Sequence, residues 1–127
     1  RSLDAALAGH RLVRAELRWP SAAGVDLVGA TVLRTVPYGK HLFTRLDDGR
    51  SLHTHLRMEG SWRLARTGTA ESHARSPWVR AVLTTAEWTA VGHRLGMLDV
   101  VRTEDEHTLV GHLGPDVLGD DFPRPGL

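Results

Sequence analysis

Short runs in which apolar and polar residues alternate, separated by turn-forming residues, make up most of this chain. Such alternation is typical of strands that bury one face, because successive side chains of a strand point to opposite sides of its sheet. Strands are predicted at residues 11–19, 25–36, 61–65, 78–84, 88–91 and 95–101, with a β-hairpin at 37–62. Short strands with frequent turn signals predict a mainly β fold, either an antiparallel sandwich or a barrel.

Two segments have helical rather than strand character. Residues 3–7 are rich in alanine and leucine, and Gly9 is placed to end a helix there. Residues 103–106 are acidic and predict the start of a short helical turn that continues to residue 112. Residues 66–76 are polar and predict an exposed loop. One or two short helices are therefore expected beside the strands.

The central hairpin carries a pattern that predicts its register, with Asp47-Asp48-Gly49 as its turn. The register that aligns like residues on one face pairs Leu46 with Leu52, Thr44 with Thr54 and Leu42 with Leu56. The other face then pairs Arg45 with His53, Phe43 with His55 and His41 with Arg57. Continued to the open end of the hairpin, this register places Lys40 opposite Met58. An amine and a methionine are thus predicted at one end of the sheet.

Length and composition exclude several classes of protein. A chain of 127 residues can form one domain with a hydrophobic core but is too short for two. No apolar run approaches the roughly 20 residues that span a bilayer, and no signal-peptide pattern is present, so no membrane partner is expected. The absence of cysteine excludes disulfides and thiolate zinc ligands within these residues. A cytoplasmic monomer, associated with the nucleoid if the source is bacterial, is expected.

Positive charge is carried almost entirely by arginine, although the formal net charge is only +1. Of the 16 basic residues, Lys40 is the single lysine. Arginine suits phosphate recognition but does not release a proton, whereas a lysine amine can take part in proton transfer. Lys40 is therefore a candidate for proton chemistry or phosphate contact. The alternative is an ordinary solvated lysine at a sheet edge.

Other residues of the hairpin have both functional and structural interpretations. Met58 either packs into the core or forms an exposed apolar wedge of the kind that enters a base stack. His53 and His55 alternate on one strand face, a spacing that metal sites use, but no third ligand accompanies them. Phosphate contact or surface placement is favoured, and no metal site is predicted. The four tryptophans are most simply core or sheet-face residues.

Three blocks of sequence, at residues 39–43, 52–62 and 113–118, together resemble a known family. They read Gly-Lys-His-Leu-Phe, Leu-His-Thr-His-Leu-Arg-Met-Glu-Gly-Ser-Trp and Leu-Gly-Pro-Asp-Val-Leu. In this order and spacing they resemble the N-terminal domain of the formamidopyrimidine-DNA glycosylase and endonuclease VIII family of DNA repair enzymes. The second and third blocks look closer to the endonuclease VIII branch. The resemblance spans essentially the whole chain.

The resemblance implies a two-sheet antiparallel β-sandwich flanked by one or two short helices. It also implies base excision repair: removal of an oxidised base from damaged double-stranded DNA, followed by strand cleavage through β- or β,δ-elimination. Lys40 matches the family's catalytic lysine, assigned to proton donation in the elimination. The positions that the resemblance assigns to DNA contact are His55, Arg57, Met58, Glu59 and His112. Among these, Met58 matches the residue that fills the gap left by the flipped nucleotide.

Parts of the family's machinery are missing from the 127 residues. The family's nucleophile is an N-terminal proline followed by a glutamate, whereas this sequence starts at Arg1, within the predicted helix. We therefore expect a β-sandwich domain at residues 1–122, without that Pro-Glu pair, and the start of a linker at 123–127. The helix-two-turns-helix and zinc-finger domains, and with them zinc, are expected in the remainder of the parent protein. Alone, this polypeptide is expected not to form the family's Schiff base. A non-catalytic DNA- or protein-binding module of the same fold is the alternative.

Overall fold

The computed structural model describes residues 2–22 and 24–110, in which strands predominate. The helices are α1 (Ser2–Leu7) and α2 (Glu106–Val110), with 3-10 turns at Pro20–Ala22, Glu71–His73 and Thr103–Asp105. The strands are β1 (Arg14–Leu17), β2 (Val32–Tyr38), β3 (His41–Leu46), β4 (Arg50–His55), β5 (Ser61–Arg66), β6 (Val79–Thr84), β7 (Trp88–His93) and β8 (Met97–Arg102). None of the described helices is long and apolar enough to cross a membrane.

The strands form two antiparallel sheets. Within the described residues, the first sheet has the order β1-β6-β7-β5 and the second sheet the order β2-β3-β4-β8. Strand β2 lies at an edge of the second sheet, where Pro37 can be accommodated because its missing N–H is not needed by a further strand. The predicted mainly β fold, a two-sheet antiparallel sandwich flanked by short helices, is confirmed.

The hydrophobic core lies between the sheets, where each strand contributes every second residue. Residues of the second sheet in this core include Val32, Leu46, Leu52 and Leu98, and those of the first sheet include Leu17, Ala81, Leu83 and Ala90. Helix α1 adds Leu3 and Leu7 to the same cluster and ends before Gly9, whose φ of 81° turns the chain away. The helix predicted at residues 3–7 is therefore confirmed.

On the outer face of the second sheet, a buried ion pair joins α2 to the central hairpin. Arg45 of β3 forms an ion pair with Glu106 of α2, with a distance of 3.1 Å between Nη2 and Oε1. The Glu106 side chain is fully buried, and Ser51 of β4 donates a further hydrogen bond to its other carboxylate oxygen. The helical turn predicted from residue 103 onward thus packs on the hairpin, while residues 111 and 112 lie outside the described part of the chain.

The strand predicted at residues 25–36 is wrong for its first half. Residues 25–30 form turns: the Asp26 carboxylate accepts the Val28 N–H at 3.0 Å, and Gly29 has a φ of 95°. Leu27 and Ala30 are nevertheless buried in the core, which explains why the segment is apolar without being a strand. The strand predicted at 11–19 is likewise shorter, since β1 covers Arg14–Leu17. The loop predicted at 66–76 contains a 3-10 turn, in which Ser72 is buried.

The predicted register of the central hairpin is wrong by two residues. In the structure His41 lies opposite His55 and Thr44 opposite Leu52. The cause is the turn, because a three-residue loop closed by Gly49 at a φ of 86° sets Leu46 next to Arg50. A shift of two residues leaves every side chain on its predicted face.

Candidate functional site

A tight loop joins β4 to β5 at the open end of the hairpin; we call residues 56–60 the tip loop. The Gly60 N–H donates to the Leu56 carbonyl at 2.8 Å, and a Cβ atom at Gly60 would overlap that carbonyl. Arg57 has a left-handed φ of 53°, which costs a non-glycine residue of order 1 kcal/mol. This backbone presents Met58 to solvent with 89% of its surface exposed. Of the two alternatives for Met58, packing into the core is therefore wrong, and the structure shows an exposed apolar tip.

Two predicted site residues hold the strained backbone of Arg57. The Arg57 N–H donates to Nδ1 of His55 at 3.0 Å, and Nζ of Lys40 donates to the Arg57 carbonyl at 2.9 Å. Lys40 pairs with Leu56 rather than with Met58, since its carbonyl accepts the Leu56 N–H at 2.9 Å. The amine still reaches the tip loop, so Lys40 and Met58 lie at the same end of the second sheet.

The loop between β7 and β8 completes this end of the molecule, and the sequence did not predict its part. The Gly96 N–H donates to the His55 carbonyl at 2.8 Å, and the Arg57 side chain lies where a Cβ at residue 96 would be. Arg94, with a φ of 51°, forms an ion pair with Glu59 at 3.5 Å. The only local signal was the pair of glycines, Gly92 and Gly96, which marks a turn without showing what it packs on.

Arg94 also covers the ring of Trp78, with its guanidinium carbon 4.3 Å from the ring centroid. Trp78 is 49% exposed and lies in the turn before β6, so the prediction that all four tryptophans are core or sheet-face residues is wrong for this one. Lys40, Arg57 and Arg94 thus lie at the same end of the molecule as the exposed methionine, and Glu59, paired with Arg94, neutralises part of their charge. Cations beside an exposed apolar tip can bind a polyanion and insert an apolar side chain into it.

Three histidines line the hairpin next to the tip loop. His41 and His53 share a hydrogen bond of 2.9 Å between Nδ1 and Nε2, and the rings of His41 and His55 meet edge to face with centroids 4.2 Å apart. Burial, and then the charges of Arg57 and Lys40, lower the pKa of His55. Burial, and then His41 and His55, lower the pKa of His53 to about 4. Both rings are therefore neutral at neutral pH.

Neutral His55 has a defined tautomer. Because Nδ1 accepts the Arg57 N–H, the ring proton resides on Nε2, which is then available as a donor to an anion. In the part of the chain that the structure describes, no group of three or more His, Asp or Glu side chains could hold a metal ion. Of the remaining predicted site residues, His112 lies outside the described residues.

The depressed pKa of His53 predicts acid-dependent stability. Between pH 6.5 and about 4 the unfolded chain binds a proton at this ring while the folded chain does not. The contribution of this ring to the free energy of unfolding should therefore be complete above pH 6.5. It should decrease as the pH falls through that window. Urea unfolding at several pH values measures this, and His53→Phe should flatten the dependence. An equally steep fall in the variant would contradict the assignment.

Comparison with known proteins gives the family. The family description "Formamidopyrimidine-DNA glycosylase N-terminal domain" matches residues 1–115. "Probable endonuclease 8 2" of Streptomyces coelicolor is 50% identical over 122 residues, which are 96% of this chain and 44% of that protein. "DNA-(apurinic or apyrimidinic site) lyase Nei2" of Mycolicibacterium smegmatis is 44% identical over 97% of this chain and 47% of its own length. The chain thus spans a little under half of these curated relatives.

Solved structures agree on the fold. The formamidopyrimidine-DNA glycosylase of Lactococcus lactis, crystallised non-covalently bound to DNA with an abasic site, superposes with a TM-score of 0.71 at 22% identity. The match covers 87% of this chain and 44% of that one. At this identity the likeness establishes the two-sheet architecture alone, while the family match rests on the sequence. The chain therefore belongs to the formamidopyrimidine-DNA glycosylase family, of which it contains the N-terminal domain.

Proposed function

We propose that this chain is the N-terminal part of a base-excision repair enzyme that removes oxidised bases from duplex DNA and cleaves the strand at the abasic site. The observation that carries the proposal is the hydrogen bond from Lys40 to the Arg57 carbonyl, which sets the single lysine beside the exposed Met58. The names of the relatives, an endonuclease 8 and an abasic-site lyase, support the same chemistry.

The tip loop would act on the base stack. Extruding a nucleotide costs a few kcal/mol of unstacking and unpairing free energy, and the cost is smallest for a damaged base. Met58, held at the tip by the left-handed Arg57, offsets part of this cost by filling the vacated space. Arg57 and Glu59 flank it and are placed to contact the base that has lost its partner.

The positive groups would bind the DNA backbone. Lys40 and Arg57 are exposed cations. Nδ1 of His55 accepts the Arg57 N–H, so the proton on Nε2 is available to contact a phosphate. Phosphate contacts of this kind make binding weaken as salt concentration rises. Affinity for duplex DNA should accordingly fall with added salt.

Lys40 would serve the elimination steps. An ammonium group can donate a proton to a departing oxygen and take one up again, which a guanidinium does not do at accessible pH. We place the nucleophilic amine and the acid for base removal in polypeptide outside these 127 residues. The zinc site, the monomeric state and the association with the nucleoid stay predictions for the complete protein.

Borohydride trapping tests the proposal. The complete polypeptide is incubated with duplexes that contain an oxidised base or an abasic site and is then reduced. We expect a covalent protein–DNA product with both duplexes and none with undamaged DNA. Binding of the damaged duplexes without trapping or strand cleavage would contradict the enzyme and favour a non-catalytic module of the same fold.

Met58→Ala tests the wedge. The variant of the complete polypeptide should process a lesion in duplex DNA about tenfold more slowly, while activity on a single-stranded lesion changes little, because only paired DNA has a gap to fill. Single-turnover rates on the two substrates measure this. Leu33→Ala, which truncates another exposed apolar side chain, is the matched control. Equal losses on both substrates would exclude the wedge.

A further inference from the structure

We propose that His41 and His53 are positioning residues for the strand-cleavage reaction: their hydrogen bond orients His55, which in turn holds the tip loop against Lys40. This inference rests on the proposed function for its catalytic consequence. Its geometric part concerns only the side chains of the described hairpin and can be tested independently of activity.

The register of the hairpin brings the three rings together. His41 lies directly opposite His55, and Phe43 opposite His53, so all four side chains share the outer face of the second sheet. His53 stacks on Phe43 with centroids 4.4 Å apart and planes 7° from parallel, and the ring of His41 lies 5.1 Å from it with planes 14° apart. The His53 ring is thus fixed by aromatic contacts from two neighbours.

Burying a histidine at position 53 lowers the stability of the fold unless its ring nitrogens form hydrogen bonds. The residue is 3% exposed, and its Nδ1 is buried without a hydrogen-bond partner among the described residues. A phenylalanine would fill the same space without leaving a buried polar atom unsatisfied, which typically costs free energy. What only a nitrogen can provide is the 2.9 Å hydrogen bond between Nε2 of His53 and Nδ1 of His41. We therefore assign the histidine to that bond.

One further contact links the hydrogen bond between His41 and His53 to the candidate site. His41, held by His53, packs edge to face against His55, and Nδ1 of His55 accepts the Arg57 N–H. Arg57 has an unfavourable left-handed backbone and offers its carbonyl to Nζ of Lys40. A ring of His55 that is free to rotate would release the Arg57 N–H and allow the tip loop to relax. The position of the Arg57 carbonyl, and with it that of the Lys40 amine, would then be less well defined.

Charged groups flank this row of rings on both neighbouring strands, and the one on β2 is Arg34, which lies opposite Arg45. Asp99 of β8 lies opposite His53, and its carboxylate accepts the N–H of Val100. Farther along the same face, Arg45 of β3 is engaged by Glu106 of α2. Lys40 and Arg57 stand at the other end, where their charges act on His55. Protonation of His55 is therefore opposed by the cations at the tip loop.

The test uses His53→Phe in the complete polypeptide, because this variant keeps the aromatic stack and removes the nitrogen. Nitrogen-15 NMR of the histidine rings reports the tautomer and titration of His55 without reference to activity. We expect loss of the fixed Nε2-protonated tautomer in the variant, and a rise of the His55 pKa because the Arg57 N–H no longer occupies Nδ1. Strand cleavage of an abasic duplex should slow about three- to tenfold at neutral pH, with its acid limb moved to higher pH and KM little changed.

Three further variants keep the test decisive. His53→Gln, whose amide can either donate to or accept from His41, should restore the His55 titration and the rate. His41→Phe should reproduce the defect if His53→Phe fails to fold. His73→Phe alters an exposed histidine outside the row and should change neither measurement. An unchanged His55 titration and pH profile in both His53→Phe and His41→Phe would overturn the proposal. A wild-type protein that cleaves no abasic DNA would instead refute the proposed function, while the NMR titrations would still decide whether the rings are coupled.

Discussion

Lys40→Arg in the complete polypeptide should reduce strand cleavage at an abasic site by about 100-fold or more, while duplex binding changes only a few-fold. The loss has the size typical of removing a general acid–base group. The arginine keeps the positive charge and can still donate a hydrogen bond to the Arg57 carbonyl, so the tip loop retains its anchor. It cannot release a proton, which the elimination needs.

The measurement is the single-turnover rate of cleavage on a preformed abasic duplex, beside an equilibrium binding titration. Arg102→Lys is the matched control, because it makes the reverse exchange of cations at a side chain that is 72% exposed and lies at the far end of β8. Lys40→Gln should behave like Lys40→Arg in cleavage but should bind DNA less tightly. Cleavage within a few-fold of wild type in Lys40→Arg would remove Lys40 from the proton-transfer role.

Glu106→Ala should lower the free energy of unfolding by about 3 kcal/mol or more. The carboxylate is fully buried and binds both Arg45 and Ser51, so its removal leaves a guanidinium and a hydroxyl without this partner in the interior. The effect exceeds that of a typical surface ion pair, which contributes at most about 1 kcal/mol. The midpoint of urea unfolding measures the difference.

Glu104→Ala is the control for this variant. Glu104 lies two residues earlier, is 70% exposed and pairs with Arg102 at 3.2 Å, so its loss should cost about 0.5 kcal/mol or less. Replacing Arg45 with Met together with Glu106→Leu should recover most of the stability, because the charge and its partner are then removed together. Similar stability of Glu106→Ala and Glu104→Ala would show that the buried pair does not anchor α2.

The hairpin shows how far local sequence information reaches. The alternation of apolar and polar residues predicts the face of each side chain of β3 and β4. The prediction of faces is correct although the register is wrong by two residues, because strand side chains repeat with a period of two. Pairing Leu46 with Leu52 matches two apolar residues, but it requires a longer loop made of residues 47–51. Asp47-Asp48-Gly49 was recognised as the turn, and a loop of three residues already implies the observed pairing.

Contacts between elements that are distant in sequence were not predictable in this way. The pairing of β4 with β8 brings Gly96 to the His55 carbonyl and Arg94 to Glu59, although 35 residues separate the last two. No sequence pattern in β4 or β8 indicates that these two strands are neighbours. The same holds for Glu106: the acidic segment at residues 103–106 predicts a helical turn, but nothing in it indicates that Glu106 is buried against Arg45.

The sequence by itself determined the mainly β fold, the first helix, the faces of the central hairpin and the placement of Lys40 and Met58 at one end of it. These follow from short-range periodicity, turn chemistry and a motif contained in consecutive residues. Only the tertiary structure decided that Lys40 holds the Arg57 carbonyl, that the loop around Gly96 supports the tip loop and that His41 and His53 share a hydrogen bond. All three features have the same physical cause. Each depends on strand register and sheet order, which arise from the packing of the whole chain and not from any local segment.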